Sequence, residues 1–162
     1  VNYTVVDTQI GRIIFDERKE ENPCSLCAKM RKGALNNAAE ELGCNKIALG
    51  HNKNDVIETF LMSLIFEGRI SCFSPVSFLE KKKLYSIRPL IYVSEYETKS
   101  YADSLGSIIV KNPCPADGST KRQEIKELLK TLNKTYPNLN QRIFGAVTRS
   151  LDDWKRGGVN GR

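Results

Sequence analysis

A short apolar run that leads directly into an amphipathic segment constrains the fold of this chain most. Residues 46–50 have the length and composition of a buried parallel strand. After His51-Asn52-Lys53, residues 55–66 repeat apolar side chains at helical spacing, and Gly68 ends the pattern. A strand followed at once by a helix is the repeating unit of α/β domains, so we expect an α/β fold with a largely parallel sheet.

Further segments extend this alternation along the chain. We expect strands at 3–7 and 107–110, an extended piece or long loop at 12–15, a hairpin from 71–78 and 84–87, and helices at 25–42, 94–105, 120–132 and 139–151. Residues 1–151 are therefore interpreted as one domain that ends in helices. Residues 152–162, which are rich in glycine, are interpreted as a flexible tail.

Composition limits the classes of partner and compartment. The chain has 162 residues, which is enough for one domain with a real core. Its net charge of +6 favours a polyanionic partner, although solubility accounts for such an excess equally well. No apolar run is long enough to cross a bilayer, and the N-terminus has no signal-peptide pattern. We therefore expect a cytoplasmic protein without a membrane partner.

The five cysteines favour metal binding, catalysis or core packing over disulfides, because no export signal accompanies them. Cys24 and Cys27 form a C-x-x-C at a predicted helix start, and Asn112-Pro113-Cys114 repeats the tripeptide 22–24. Three such thiols suit an iron–sulfur cluster or zinc, but individual cysteines also pack inertly in cores. Inert burial is the expectation for the two remaining cysteines, Cys44 and Cys72.

The turn between strand 46–50 and helix 55–66 holds His51 and Asp55, an imidazole and a carboxylate at a helix N-terminus. Ligands of α/β sheets collect outside the carboxyl ends of strands, so this turn suits a nucleotide phosphate and Mg²⁺. Simple helix capping explains the same two residues. Arg88 is a candidate for phosphate binding or, equally, a surface charge.

Basic side chains accompany both candidate metal-ligand segments. Lys29, Arg31 and Lys32 follow the C-x-x-C, and Lys121 and Arg122 follow the third thiol. We expect these five residues to bind an RNA backbone whose target base is presented to the metal centre.

Five segments resemble one family in their order and approximate spacing. They are Pro23-Cys24-Ser25-Leu26-Cys27, Lys32-Gly33, residues 46–51 with Asp55, Ile87-Arg88-Pro89-Leu90 and Asn112-Pro113-Cys114. They are similar to the tRNA 2-thiocytidine synthetases, which are PP-loop ATPases related to tRNA(Ile)-lysidine synthetase. The resemblance covers residues 3–151. It implies a parallel-sheet PP-loop domain of the adenine nucleotide alpha hydrolase-like type.

The resemblance also implies an activity and its partners. In that family, ATP and Mg²⁺ activate C2 of an anticodon-loop cytidine as an adenylate, and sulfide bound to a three-cysteine 4Fe-4S cluster displaces AMP. The partners would be tRNA, ATP, sulfide or a sulfur donor protein, and a second copy in a homodimer. The residues that match are the cluster ligands Cys24, Cys27 and Cys114, the catalytic and nucleotide-binding His51 and Asp55, and the nucleotide-binding Arg88.

Three features depart from the family pattern. The phosphate loop S-G-G-x-D-S, expected before Tyr3, occurs nowhere, so we expect an N-terminally truncated domain that is inactive by itself. Asn54 replaces an aspartate and removes one charge from the Mg²⁺ site, and Asp117 replaces a further cysteine. Two alternatives stay open: a PP-loop thiolase of a tRNA uridine, and a non-catalytic, zinc-stabilised RNA-binding module.

Overall fold

The computed structural model describes residues 2–19, 23–107, 109–110 and 112–155. These residues divide into two compact units, one of Val1–Ile47 with Leu79–Tyr85 and one of Ala48–Phe78 with Ser86–Arg162. The described elements are α1 (Ile10–Arg12), a π-helical Ile13–Arg18, α2 (Pro23–Glu41), β1 (Lys46–Ala48), α3 (Lys53–Glu67), β2 (Val76–Leu79), β3 (Leu84–Ile87), α4 (Glu95–Ser104), α5 (Lys121–Thr135), α6 (Leu139–Ser150) and α7 (Asp152–Lys155).

The sheet has three strands in the order β1-β3-β2. Tyr85 N donates to Asn45 O and Leu49 N donates to Ile87 O, the pattern of a parallel pair. Strands β2 and β3 form the predicted hairpin, and Lys83 takes a positive φ of 50° in its turn. The α/β class is confirmed, but the sheet is small and mixed where a largely parallel one was expected.

Two predicted extended segments in the first unit are wrong. Residues 3–7 have no regular structure, and residues 12–15 lie in the helical segment that follows Gln9. Tyr3 and Val5 are 90% and 69% exposed, so their strand-forming side chains have no partner to pack against. Because β-propensity reflects packing on neighbouring strands more than an intrinsic backbone preference, propensity alone misleads here.

The predicted strand 107–110 is also wrong for its described part. Ser107, Ile109 and Val110 have no regular structure, and residue 108 lies outside the described residues. Ile109 and Val110 are 61% and 82% exposed, so the apolar run does not enter a core.

Helix predictions fare better, because their signals are local. Ser94 and Glu97 form a capping box at the start of α4, and Asn52 and Asp55 form one at the start of α3. Gly68 ends α3 at a φ of 63°, a conformation that favours glycine. The predicted break after α5 is present, since Asn138 takes a φ of 64° before α6 begins.

The core of the second unit lies between α3, α5, α6 and α7. Its buried members are Val56, Ile57, Ile91, Ile125, Leu129, Phe144, Val147 and Trp154. Trp154 belongs to α7, and its indole Nε1 donates to the Phe73 carbonyl oxygen at 3.2 Å. Helical structure thus extends past Leu151 to Lys155, while residues 156–162 of the expected tail lie outside the described residues. None of the described helices is both long and apolar enough to span a bilayer.

Candidate functional site

The turn after β1 is held by reciprocal hydrogen bonds that close the start of α3. Asn52 Oδ1 accepts from the backbone N–H groups of Asn54 at 2.8 Å and Asp55 at 3.2 Å. In return, Asp55 Oδ2 accepts from the Asn52 N–H at 2.9 Å. Asp55 therefore does take part in capping α3, as one interpretation of the sequence predicted. Only one of its two carboxylate oxygens, Oδ2, is used for this.

The other oxygen of Asp55 binds a residue from α5. Arg122 Nη1 lies 3.1 Å from Asp55 Oδ1 and 2.9 Å from Glu58 Oε2, and Nη2 donates to Thr59 Oγ1 at 3.3 Å. Arg122 was predicted from the sequence to bind an RNA backbone, but these described contacts are with other residues of the chain. They fix the start of α5 against the first two turns of α3.

Glu58 lies beside the candidate site but was not among the residues predicted from the sequence. It is 2% exposed, and burial raises the pKa of its carboxyl above the ordinary value of 4.5, against the opposing effect of the hydrogen bond from Arg122. Lys126 Nζ lies 3.8 Å away and also pairs with Glu95 at 3.0 Å. A signal was present, because Glu58 stands one helical turn after Asp55 and is the one charged residue of the stretch 56–66.

His51 and Arg88 meet on the ring of Phe73. The His51 and Phe73 ring centroids are 4.8 Å apart, and Arg88 Cζ lies 4.8 Å from the Phe73 centroid. Arg88 Nη1 donates to the Ser74 carbonyl oxygen at 2.6 Å. Among the described residues, however, His51 Nδ1 and Arg88 Nε are buried without a hydrogen-bond partner. Since buried polar atoms nearly always have partners, two orphans on one ring indicate a place for a polar ligand.

The electrostatics of this pocket favour a neutral imidazole. Burial lowers the pKa of His51 below 6.5; nearby Arg88 and Arg122 lower it further, and Asp55 opposes them. Asp55 lies four residues after His51 at the start of α3, and the Phe73 ring joins His51 to Arg88, so these three residues lie in one region of the second unit. No sequence pattern marked Phe73 as the residue that joins them.

We expect the imidazole of His51 to titrate below pH 6.5 in the folded chain. Since His51 is the only histidine, its ring resonances in an NMR pH titration report this residue directly. Replacing Arg88 by Met should move the midpoint upward, because one lowering positive charge disappears. A midpoint at or above 6.5 in the wild type would contradict the buried, neutral imidazole. The lowered pKa of His51 also affects the free energy of unfolding. Its stabilising contribution is present above pH 6.5 and is lost as the pH falls through the folded-state pKa.

The three predicted metal ligands are free thiols in two different units. Cys24, which is exposed, and Cys27, which is half-buried, lie on the first turn of α2. Cys114 is half-buried in the loop before α5, where its N–H donates to Asn112 Oδ1 at 3.2 Å and its carbonyl accepts from the Asp117 N–H at 3.0 Å. Three unpaired thiols are a donor set that suits an iron–sulfur cluster or zinc.

Across residues 2–19, 23–107, 109–110 and 112–155, no group of three or more His, Cys, Asp or Glu side chains lies close enough to bind one metal ion. The three-cysteine site therefore stays a prediction. The other two cysteines differ from each other. Burial raises the pKa of Cys72 to about 11, as expected of an inert thiol, whereas Cys44 is exposed because it follows the helix stop at Gly43.

The predicted RNA-binding lysines and arginines fall into two groups. Lys29, Arg31 and Lys32 are exposed on α2. Lys121 is exposed on α5, where its Nζ pairs with Glu124 at 3.0 Å and lies 5.1 Å from the centroid of the Phe66 ring. Arg122 differs from these four residues because it forms ion pairs with Asp55 and Glu58 of α3.

A family model of the PP-loop domain matches residues 2–132. The chain belongs to the PP-loop domain family. The resemblance proposed from the ordered motifs is thus confirmed, together with the α/β fold that it implied.

Two relatives of this PP-loop domain are tRNA-cytidine(32) 2-sulfurtransferases. The protein from Dichelobacter nodosus is 37% identical over 153 residues, which cover 93% of this chain and 57% of that protein. The one from Pelobacter propionicus is 37% identical over 139 residues, or 84% of this chain and 52% of that protein. The chain therefore spans about half the length of these relatives.

A solved structure is similar as well. It is the U34-tRNA thiolase NcsA from Methanococcus maripaludis with its 4Fe-4S cluster, at a TM-score of 0.65 and 30% sequence identity. The similarity covers 83% of this chain and 45% of that one. Over most of its length, this chain therefore shares the fold of that thiolase.

Proposed function

We propose that this chain is the PP-loop part of an ATP-dependent tRNA sulfurtransferase that replaces the C2 oxygen of an anticodon-loop cytidine by sulfur. The observation that carries the proposal is the 37% identity to a tRNA-cytidine(32) 2-sulfurtransferase over 93% of the chain. A match that covers 93% of the chain spans the positions of the His51–Asp55 turn, the Arg88 segment and all three candidate metal ligands.

The reaction needs a leaving group at C2, which ATP supplies. The C2 oxygen attacks the α-phosphate, pyrophosphate departs, and the resulting adenylate is displaced as AMP when sulfide attacks C2. Arg88 Nε and His51 Nδ1 are buried, unpartnered polar atoms on one ring, and we assign them to the nucleotide phosphates. Neutral His51 avoids a second buried positive charge beside Arg88.

Asp55 is assigned to Mg²⁺ and to orientation of the phosphates. Each carboxylate oxygen has two lone pairs, so the contacts with Asn52 and Arg122 leave capacity for a cation. The hydrogen bonds from Asn52 and Arg122 hold this carboxylate in one orientation. Arg122 then acts on the nucleotide through Asp55.

Cys24, Cys27 and Cys114 are assigned to a 4Fe-4S cluster. Held by three thiolates, the cluster would keep one iron free of protein ligands and thus supply a place for the sulfide. The exposed Lys29, Arg31 and Lys32, with Lys121, would bind the tRNA backbone. The remaining partners of the proposal are sulfide or a donor protein and a second copy of the enzyme, in the cytoplasm.

The test is nucleoside analysis of tRNA from a strain that lacks the complete gene. Loss of 2-thiocytidine, restored by the wild-type gene and not by a Cys24→Ala gene, is the expected result. Unchanged thionucleosides would contradict the assignment.

A second candidate, a tRNA uridine thiolase, is favoured by one observation: the similar solved structure is a U34-tRNA thiolase. The same experiment separates the two, because loss of a thiouridine with intact 2-thiocytidine would select the uridine. The non-catalytic zinc module requires stoichiometric zinc and RNA binding that is indifferent to ATP, so metal analysis of the purified chain distinguishes it from both thiolases.

A further inference from the structure

Three aromatic rings of the second unit pack edge to face. Tyr92 lies 5.8 Å from Phe144 and 6.2 Å from Trp154 between ring centroids, and Phe144 lies 5.8 Å from Trp154. All three interplanar angles are 87–88°. Phe144 and Trp154 are buried, whereas Tyr92 is 64% exposed. We call these three residues the aromatic platform. The Tyr92 ring packs against the two buried rings and is open to solvent.

A positive charge accompanies the platform. Lys53 Nζ lies 5.2 Å from the centroid of Phe144, the same ring that Tyr92 contacts. The backbone N–H of Lys53 also donates to the Val93 carbonyl oxygen at 2.8 Å, which ties the first residue of α3 to the neighbour of Tyr92. A solvent-exposed aromatic ring with a positive charge nearby is a combination by which proteins bind unpaired nucleotides.

The platform adjoins the candidate nucleotide pocket. Trp154 donates to the Phe73 carbonyl oxygen at 3.2 Å, and the Phe73 ring contacts His51. Lys53 follows His51 by two positions. A base on Tyr92 would therefore lie beside the pocket where the adenylate is proposed to form.

We propose that Tyr92 stacks on an unpaired base of the RNA substrate while Lys53 binds the backbone phosphate of the same segment. The proposal rests on the proposed function, since it takes RNA as the substrate, and it adds a binding surface that the five predicted basic residues do not include. Edge-to-face packing holds the Tyr92 ring before RNA arrives, so stacking costs little side-chain entropy. An anticodon loop presents unpaired bases, which a duplex does not.

The test uses the full chain, a synthetic RNA hairpin with an unpaired loop, and the same RNA annealed to its complement. Trp154 is the only tryptophan, and it contacts Tyr92, so its fluorescence reports binding at the platform. We expect hairpin binding to change the Trp154 emission and Tyr92→Ala to weaken hairpin affinity about 5- to 150-fold, with little effect on the duplex. Tyr92→Phe should retain the affinity, because it keeps the ring.

Tyr96 and Tyr101 of α4 are matched controls, being 80% and 68% exposed. Their alanine variants should bind the hairpin as the wild type does, and the exposed position of Tyr92 should leave the melting temperature of Tyr92→Ala nearly unchanged. In Lys53→Gln, the slope of the logarithm of the hairpin affinity against the logarithm of the salt concentration should fall by about one in magnitude.

Two results would overturn the proposal, and they have different meanings. Wild-type chain that binds neither RNA would remove the proposed function along with the platform. Hairpin affinity that is unchanged in Tyr92→Ala, with normal wild-type binding, would overturn the platform alone and leave a protein partner as the ligand of the exposed ring.

Discussion

Replacing Cys114 by Ser is expected to remove bound iron and tRNA thiolation together. A hydroxyl is a poor substitute for a thiolate at an iron–sulfur cluster, and a three-thiolate cluster has no spare protein ligand. Cys24→Ser and Cys27→Ser should behave alike, because the proposed cluster needs all three sulfurs. Iron and acid-labile sulfide are measured per chain after anaerobic reconstitution. Thiolation is measured separately, as 2-thiocytidine in tRNA from a strain that carries the same substitution in the complete gene.

The structure supplies a matched control for this experiment. Cys44 is an exposed free thiol outside the predicted set, so Cys44→Ser should keep full iron. Folding should survive in Cys114→Ser, because the hydrogen bonds of this residue to Asn112 and Asp117 use its backbone. Full iron in Cys114→Ser would exclude it as a ligand, and stoichiometric zinc in place of iron would favour the non-catalytic module.

Truncating Arg122 to Ala is expected to lower the free energy of unfolding by about 1–3 kcal/mol, the range for leaving a buried polar partner unsatisfied. The variant removes the closest cation from Glu58, whose side chain is 3% exposed, and also frees Asp55 and Thr59. Lys126, at 3.8 Å, compensates only in part. Urea unfolding followed by Trp154 fluorescence measures the loss, because this buried ring reports the core of the same unit.

The pH dependence of this loss in unfolding free energy tests whether the ion pair between Arg122 and Glu58 causes it. Burial raises the pKa of Glu58, so its protonated form is favoured in the folded chain and its contribution to stability falls as the pH rises through the folded-state value. The hydrogen bond from Arg122 opposes this rise, so losing it should cost most where Glu58 is ionised, above its folded-state pKa, which itself lies above 4.5, and least in acid. An equal loss in acid and above that folded-state pKa would contradict the ion-pair explanation.

Two further variants complete the comparison. In a Glu58→Gln background, Arg122→Ala should cost less, since no buried carboxylate is left unpaired; the difference is a double-mutant cycle. Lys121→Ala is the control on α5, because its exposed pair with Glu124 contributes little.

Much of the candidate site was predictable because its signals are local. The run 46–50 and the apolar repeat 55–66 predicted the strand-end turn, so His51 and Asp55 were placed correctly. Arg88 was a candidate for phosphate binding from its sequence, but its position on Phe73 depends on the hairpin that brings residues 73 and 88 together. Propensity failed for residues 3–7, where apolar, strand-forming side chains have no adjacent strand.

The sequence by itself determined the approximate bounds of α2 to α6, the turn after β1 and the resemblance to the PP-loop family, because caps, periodicity and ordered motifs depend on residues close together in the chain. Only the tertiary structure decided which distant groups meet. Arg122 pairs with Asp55 and Glu58 across more than sixty positions, and Tyr92 reaches Phe144 and Trp154 on two later helices. Such pairings depend on how α3, α5 and α6 pack around a shared apolar core, and no local pattern specifies that packing.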